Sequence, residues 1–174
     1  PRWALAAAAL AAMFAVGAEW VRDLEESRRE DTKAVPESQT ALLTGLARDI
    51  WRFFESNVGA GQNFLPPDNV QIDPPVGAAR RTSPTNIGLY LMGCAAAREL
   101  GFLSADAARS RMAQTTGVLE RLEKWRGHLY NWYDIDTLAP LCPKYVSSVD
   151  SGNLAAALLL CAEMVVDEDP ALAG

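Results

Sequence analysis

The residues able to do chemistry stand in two groups. The first lies in HLYNWYDIDTLAPLCPKYVSSVDSGNLA, residues 128–155, which supplies His128, Tyr130, Asn131, Trp132, Tyr133, Asp134, Asp136, Tyr145, Ser147, Ser148, Asp150 and Asn153. The second supplies Asn63, Asp68, Asn69, Gln71, Asp73, Arg80, Arg81 and Thr82, and then Ser83, Thr85, Asn86 and Tyr90. Together they mix carboxylates and amides with Trp and Tyr, and cations are few. Sugar hydroxyls pair with planar amides and carboxylates, and the C–H faces of a pyranose pack on aromatic rings. The scarcity of cations weighs against phosphate or nucleotide substrates, and neither GxxxxGK nor GxGxxG is present. Hydrolysis or transfer at a glycosidic bond needs two carboxyls, roughly 5 to 9.5 Å apart. Asp68, Asp134 and Asp150 are available, but spacing singles out no pair, so the catalytic residues are unknown.

Several of these side chains have a purely structural alternative. Asp150 is a good helix N-cap. Trp132 can be a packing residue of its loop. His128 can sit at a helix C-terminus, where the dipole favours a cation. Arg81 can pair with a loop carboxylate. No GxSxG elbow exists, and a single His gives no triad. Three cysteines without CxxC, beside one His, make a zinc site or a disulfide scaffold poor readings, and no metal or cofactor is expected.

The elements that must position these groups are helical. Ser38 is a candidate N-cap for a helix with the apolar stripe Leu42, Leu43, Leu46, Ile50, Phe53 and Phe54, running to about Asn57 and stopping near Gly59. Val58 to Ser83 reads as a long loop. Ser83 caps the next helix, with Pro84 at its first position and Gly101 at its end. A tight GFLS connection leads to a helix from Ser104 to a stop at Gly127. After the second long loop, Asp150 or Ser151 caps a last helix. The order is helix, long loop, helix, short turn, helix, long loop, helix. In antiparallel hairpins alternate connections lie at one end, so both long loops are expected on one face, and that face holds the site.

The chain has 174 residues and a net charge of −6, which makes a nucleic-acid backbone an unsuitable partner. It lacks a starting Met and reads as a fragment of a longer protein. Ala4 to Ala18 is uncharged but shorter than the roughly 20 residues that span a bilayer. It reads as a packed helix, the trimmed end of a transmembrane helix with Trp3 and Trp20 near the interfaces, or a signal peptide.

RDIWRFFESNVGAGQNFLPPDNVQIDPP, RTSPTNIGLYLMGCAAARELGF and LERLEKWRGHLYNWYDIDTLAPLCPKYVSSVDSGNLA resemble the glucoamylase-like domain of cyclic β-1,2-glucan synthases, from about Leu42 to Met164. One departure is Arg80, where that family usually has His. The resemblance implies an all-α fold, part of an (α/α)6 barrel of antiparallel helical hairpins with long loops at one end. It implies residues 1–35 as a membrane-proximal helix and linker, with Pro1–Glu19 the end of a membrane helix, and residues 36–174 as the N-terminal portion of the domain. The parent would be a bacterial inner-membrane enzyme, with the domain on the cytoplasmic side. This domain would close linear β-1,2-glucan into a ring by transglycosylation, its partners being the glucan, the remaining synthase domains and the membrane. Asp68, Asn69, Arg81, Asn86, Asn131, Trp132, Tyr133, Asp134, Asp150 and Asn153 would bind glucosyl units. Trp132 or Tyr133 would stack a pyranose, and the catalytic carboxylates would lie downstream of Gly174. The alternatives are an endo-β-1,2-glucanase or glucoamylase-like hydrolase and a non-catalytic carbohydrate-binding segment.

Overall fold

The computed structural model describes residues 36–168. The membrane-proximal expectation for residues 1–35 lies outside them. The chain divides into two compact units, Pro1–Leu42 and Leu43–Gly174, and of the first only the opening residues of one helix are described.

Four helices carry the described chain: α1 (Glu37–Asn57), α2 (Pro84–Glu99), α3 (Ala105–Arg121) and α4 (Ser148–Glu168). Their boundaries follow local chemistry. Ser83 Oγ accepts from Asn86 N and Ser104 Oγ from Ala107 N, both at 3.2 Å, so each hydroxyl satisfies an otherwise orphan helical donor. Pro84 opens α2, where its missing N–H costs nothing. At the other end Gly101 takes φ 71°, its N–H bonds Arg98 O, and Phe102 N–H bonds Ala97 O. This pair of bonds closes α2 in the left-handed manner that glycine permits and turns the chain directly into α3.

Three expected boundaries differ. α1 begins at Glu37, with Pro36 O accepting from Gln39 N and Thr40 N, so Ser38 lies inside the helix. α3 ends at Arg121, and Gly127 instead turns a small hairpin. α4 begins at Ser148, so neither Asp150 nor Ser151 is its cap. Ser147 holds that place: its Oγ accepts from Asp150 N at 3.2 Å and donates to Asp150 Oδ2 at 2.5 Å. The Ser-x-x-Asp spacing lets the Ser147 hydroxyl cap the helix while it donates to the Asp150 carboxylate.

The long connections are not plain loops, and an all-α description misses them. Among the described residues, six short strands form three two-stranded antiparallel ribbons. β1 (Val70–Ile72) pairs with β2 (Pro75–Ala78), β4 (Lys124–Trp125) with β5 (His128–Leu129), and β3 (Arg81–Thr82) with β6 (Tyr133–Asp134). The β4–β5 turn places Arg126 and Gly127 at φ 49° and 87°, the left-handed pair that a two-residue hairpin requires.

The core is built where α2 packs on α4 and α3. Leu65, Ile87, Tyr90, Leu91, Cys94, Val118, Tyr133, Ile135, Leu154 and Cys161 are buried in it, each large aliphatic side chain contributing roughly 1.5–3 kcal/mol. Gly88 permits the close approach of α2 to α4, since a Cβ there would meet Ala157 Cβ at 3.1 Å. Most of the apolar stripe read on α1 points elsewhere: Leu42, Leu43, Leu46 and Ile50 are exposed, while Phe53 and Phe54 are half-buried. The helix is held by Trp51 and by Phe54 against Tyr90, with ring centroids 5.4 Å apart.

Candidate functional site

The two long connections meet. Arg81 pairs with Asp134 and Thr82 with Tyr133, extended by Ile135 N–H donating to Arg80 O at 3.1 Å. Asn63 Nδ2 crosses to Ile135 O at 2.8 Å. The Arg80 guanidinium forks onto both Asp136 oxygens and also donates to Gly61 O at 3.0 Å. Thr115 Oγ1 ties Phe64 O to α3 at 2.8 Å. A planar fork on a carboxylate fixes direction as well as distance, so Arg80 acts as the clasp between the connections.

On this joined rim the first polar group is centred on Asp68. Arg81 Nη2 and Nε donate to its Oδ2 at 2.9 and 3.2 Å, Asn86 Nδ2 to its Oδ1 at 3.2 Å, and Asn69 Nδ2 to its Oδ2 at 3.1 Å. Partial burial pushes the Asp68 carboxyl up. The hydrogen bonds from Arg81, Asn86 and Asn69 and the Arg81 charge outweigh it and hold the carboxyl below its ordinary value. Asp68 is therefore a fixed carboxylate acceptor.

The second group is centred on Asn131, which is 6% exposed. With its amide nitrogen toward Asp150 Oδ2 (2.8 Å), its oxygen accepts from Trp132 Nε1 (2.8 Å) and Tyr145 OH (2.7 Å). Only this orientation of the amide matches every donor with an acceptor. One buried amide thus fixes an indole, a phenol and a carboxylate. Arg81 joins the groups, because its guanidinium carbon lies 4.8 Å from the Trp132 ring while its nitrogens hold Asp68. Trp132 is half-buried, gripped at its N–H and on its face.

Asp68, Asn69, Arg81, Asn86, Asn131, Trp132 and Asp150 are therefore linked by contacts along the rim. Three other expected site residues are used differently. Tyr133 is wholly buried, its OH donating to Glu123 O and accepting from Tyr130 N, both at 2.7 Å. A ring without exposed surface cannot stack a pyranose, and that expectation is overturned. Burial pushes its hydroxyl up to about 12. Asp134 Oδ1 accepts from Asp136 N, Thr137 N and Thr137 Oγ1, so this carboxylate builds the turn after β6. Asn153 donates to Thr85 Oγ1 at 3.0 Å and stitches α4 to the start of α2. His128 is not at a helix end. It lies exposed on β5, and Lys124 Nζ instead takes the carbonyls at the end of α3, Leu119 O and Glu120 O, together with Leu122 O just past it.

Tyr145, Asn63 and Ser147 hold the site yet were not in the expected binding set. The Ser-x-x-Asp spacing could have exposed Ser147. Nothing local pairs Tyr145 with Asn131 or Asn63 with Ile135. Among the described residues there is no group of three or more His, Cys, Asp or Glu able to hold a metal. No described helix is long and apolar enough to cross a membrane.

The chain is 46% identical over 140 residues to cyclic beta-(1,2)-glucan synthase NdvB of Rhizobium meliloti strain 1021. That match takes in 80% of this chain and 5% of the synthase, so the chain spans a small part of the relative's length. Two crystal structures of candidate glucoamylases share the fold at 21% identity. For the Bacteroides fragilis NCTC 9343 protein the TM-score is 0.66, covering 82% of this chain and 36% of that one. For the Bacteroides caccae ATCC 43185 protein it is 0.65, covering 77% and 34%. A family model described as a protein of unknown function, DUF3131, matches residues 45–159 and so includes both long connections and the start of α4. The chain is homologous to a segment of a cyclic β-1,2-glucan synthase, shares its fold with part of glucoamylase-like structures, and belongs to the DUF3131 family.

Proposed function

We propose that this chain is the first part of an (α/α)6-barrel domain in a membrane-bound cyclic β-1,2-glucan synthase. Its rim grips linear β-1,2-glucan while that domain closes the chain into a ring by transglycosylation. The observation that carries the reading is the 46% identity to the synthase. The rim geometry supports it. Arg81 lies against the indole of Trp132, and the pyranose C–H face packs on the ring's remaining surface. Asp68 and Asp150 accept from sugar hydroxyls, and Asn86 and Asn131 orient those carboxylates. Asn69 lies beside Asp68 as a further hydroxyl partner. In this reading the general acid and its partner carboxylate come from other parts of the parent, as does the glycosyltransferase chemistry. The domain lies on the cytoplasmic side. Keeping water from the glycosyl centre decides transfer over hydrolysis.

The test uses the parent protein with Trp132→Ala and, separately, Asp150→Ala. Each is expected to bind linear β-1,2-glucan several-fold more weakly than wild type. Unchanged affinity in both removes the rim from the binding site. The glucoamylase-like fold also suits a hydrolase, and product analysis separates the two, since a ring supports the synthase reading and linear sugars the other.

A further inference from the structure

We infer that the β4–β5 hairpin carries a second sugar platform, Trp125, which extends the rim so that a longer glucan is held at two aromatic positions. The inference rests on the glucan reading above. Trp125 is 51% exposed, a large apolar ring open to solvent. Half-exposed indoles on mobile loops are ordinary, but this one stands on a firmly rooted strand. Lys124 Nζ donates to Leu119 O (2.7 Å), Glu120 O (2.9 Å) and Leu122 O (3.1 Å), pinning the first strand to the end of α3. Leu122, just before the first strand, and Leu129, in the second, are buried. The buried Tyr133 hydroxyl bridges Glu123 O and Tyr130 N, closing the base of the hairpin onto β6.

The ring is also oriented. Arg126 takes a left-handed backbone, and its guanidinium carbon lies 4.9 Å from the Trp125 ring. A cation at that distance from an indole holds it. It repeats the arrangement of Arg81 against Trp132 at 4.8 Å.

The hairpin is continuous with the rim. Lys144 Nζ bonds Glu123 Oε1 at 2.9 Å and lies 5.4 Å from the Tyr130 ring. The next residue, Tyr145, donates to Asn131, which holds Trp132. The surroundings of Trp125 are hydrogen-bonding: His128 is its cross-strand partner, and Arg126, Glu123 and Lys144 are near the same ribbon. A protein interface would present a contiguous apolar patch. A single ring among polar groups fits a pyranose, which offers one apolar face and a rim of hydroxyls.

The experiment measures affinity for linear β-1,2-glucans from a few units to several tens of units. It uses the full parent protein as wild type, Trp125→Ala, Trp125→Tyr and Trp132→Ala, with thermal melting as a control for folding. For Trp125→Ala, roughly three- to tenfold weaker binding of long chains is expected, with short chains unaffected. Trp125→Tyr should keep most of the long-chain affinity, and Trp132→Ala should weaken both lengths. If wild type binds glucan and Trp125→Ala matches it at every length, the hairpin platform is wrong and the rim stands. Equal loss at all lengths, or Trp125→Tyr as weak as Trp125→Ala, also overturns it. A wild type that binds no glucan overturns the rim reading first, and this one with it.

Discussion

Asn131→Asp tests the central network with a nearly isosteric change. The side-chain oxygen that accepts from Trp132 and Tyr145 is kept. The amide nitrogen 2.8 Å from Asp150 Oδ2 becomes a second carboxylate oxygen. Two full charges at that separation repel by about 6 kcal/mol at an effective dielectric of about 20. Asp150 is only half-buried, so solvent screens part of this, and the pair relieves the rest by retaining a proton. Held roughly two units above the ordinary carboxyl value of about 3.9, that proton corresponds to ~3 kcal/mol of lost stability at pH 7. The sign follows from linkage. A carboxyl raised in the folded state leaves stability intact below about pH 3.9 and removes it as pH rises toward about 6. The protonated carboxyl can also donate to Asp150 in place of the amide. Urea unfolding of the variant, followed by tryptophan fluorescence, should match wild type closely at pH 4 and fall ~3 kcal/mol below it at pH 7. A gap that does not change with pH, or one larger at pH 4, would show that the Asn131 nitrogen does not face Asp150.

Two further outcomes follow from buried and bonded groups. Tyr133→Phe leaves Tyr130 N and Glu123 O without their partner and should cost about 1–3 kcal/mol in urea unfolding at pH 7. Wild-type stability should also fall as pH rises past about 10, the ordinary tyrosine value, toward the folded value of about 12, and the variant should lose this component. At the acid end, the lowered Asp68 carboxyl contributes stability above its unfolded value of about 3.9 that disappears as pH falls through the lower folded one. Melting temperature from pH 2 to 7 should therefore vary less in Asp68→Asn than in wild type. Equal slopes would mean that Arg81, Asn86 and Asn69 do not hold a carboxylate there.

What the sequence determined by itself was local. Ser83 with Pro84, Ser104, and Gly101 mark helix ends because a hydroxyl cap, a fixed φ and a left-handed φ act within three or four residues. The alternation of long and short connections correctly placed both loops at one end, because antiparallel hairpins leave no other arrangement. The residue types suggest the carbohydrate of the function proposed above, since amides, carboxylates and indoles keep their chemistry wherever they sit. Tertiary structure alone decided which of them face outward. Trp132 and Tyr133 are adjacent where the chain enters β6, yet one is gripped on the rim and the other is buried in the core, and composition treats the two as equals. Arg80 becomes a clasp only because Asp136, far along the chain, is brought to it by the β3–β6 pairing. The outward stripe of α1 was misread for the same reason. Periodicity shows that a helix has an apolar face but not which neighbour will meet it, and here only Phe54 at the end of that stripe, with Trp51 from outside it, packs on the core. Long-range pairing depends on the whole fold, and no window of sequence contains it.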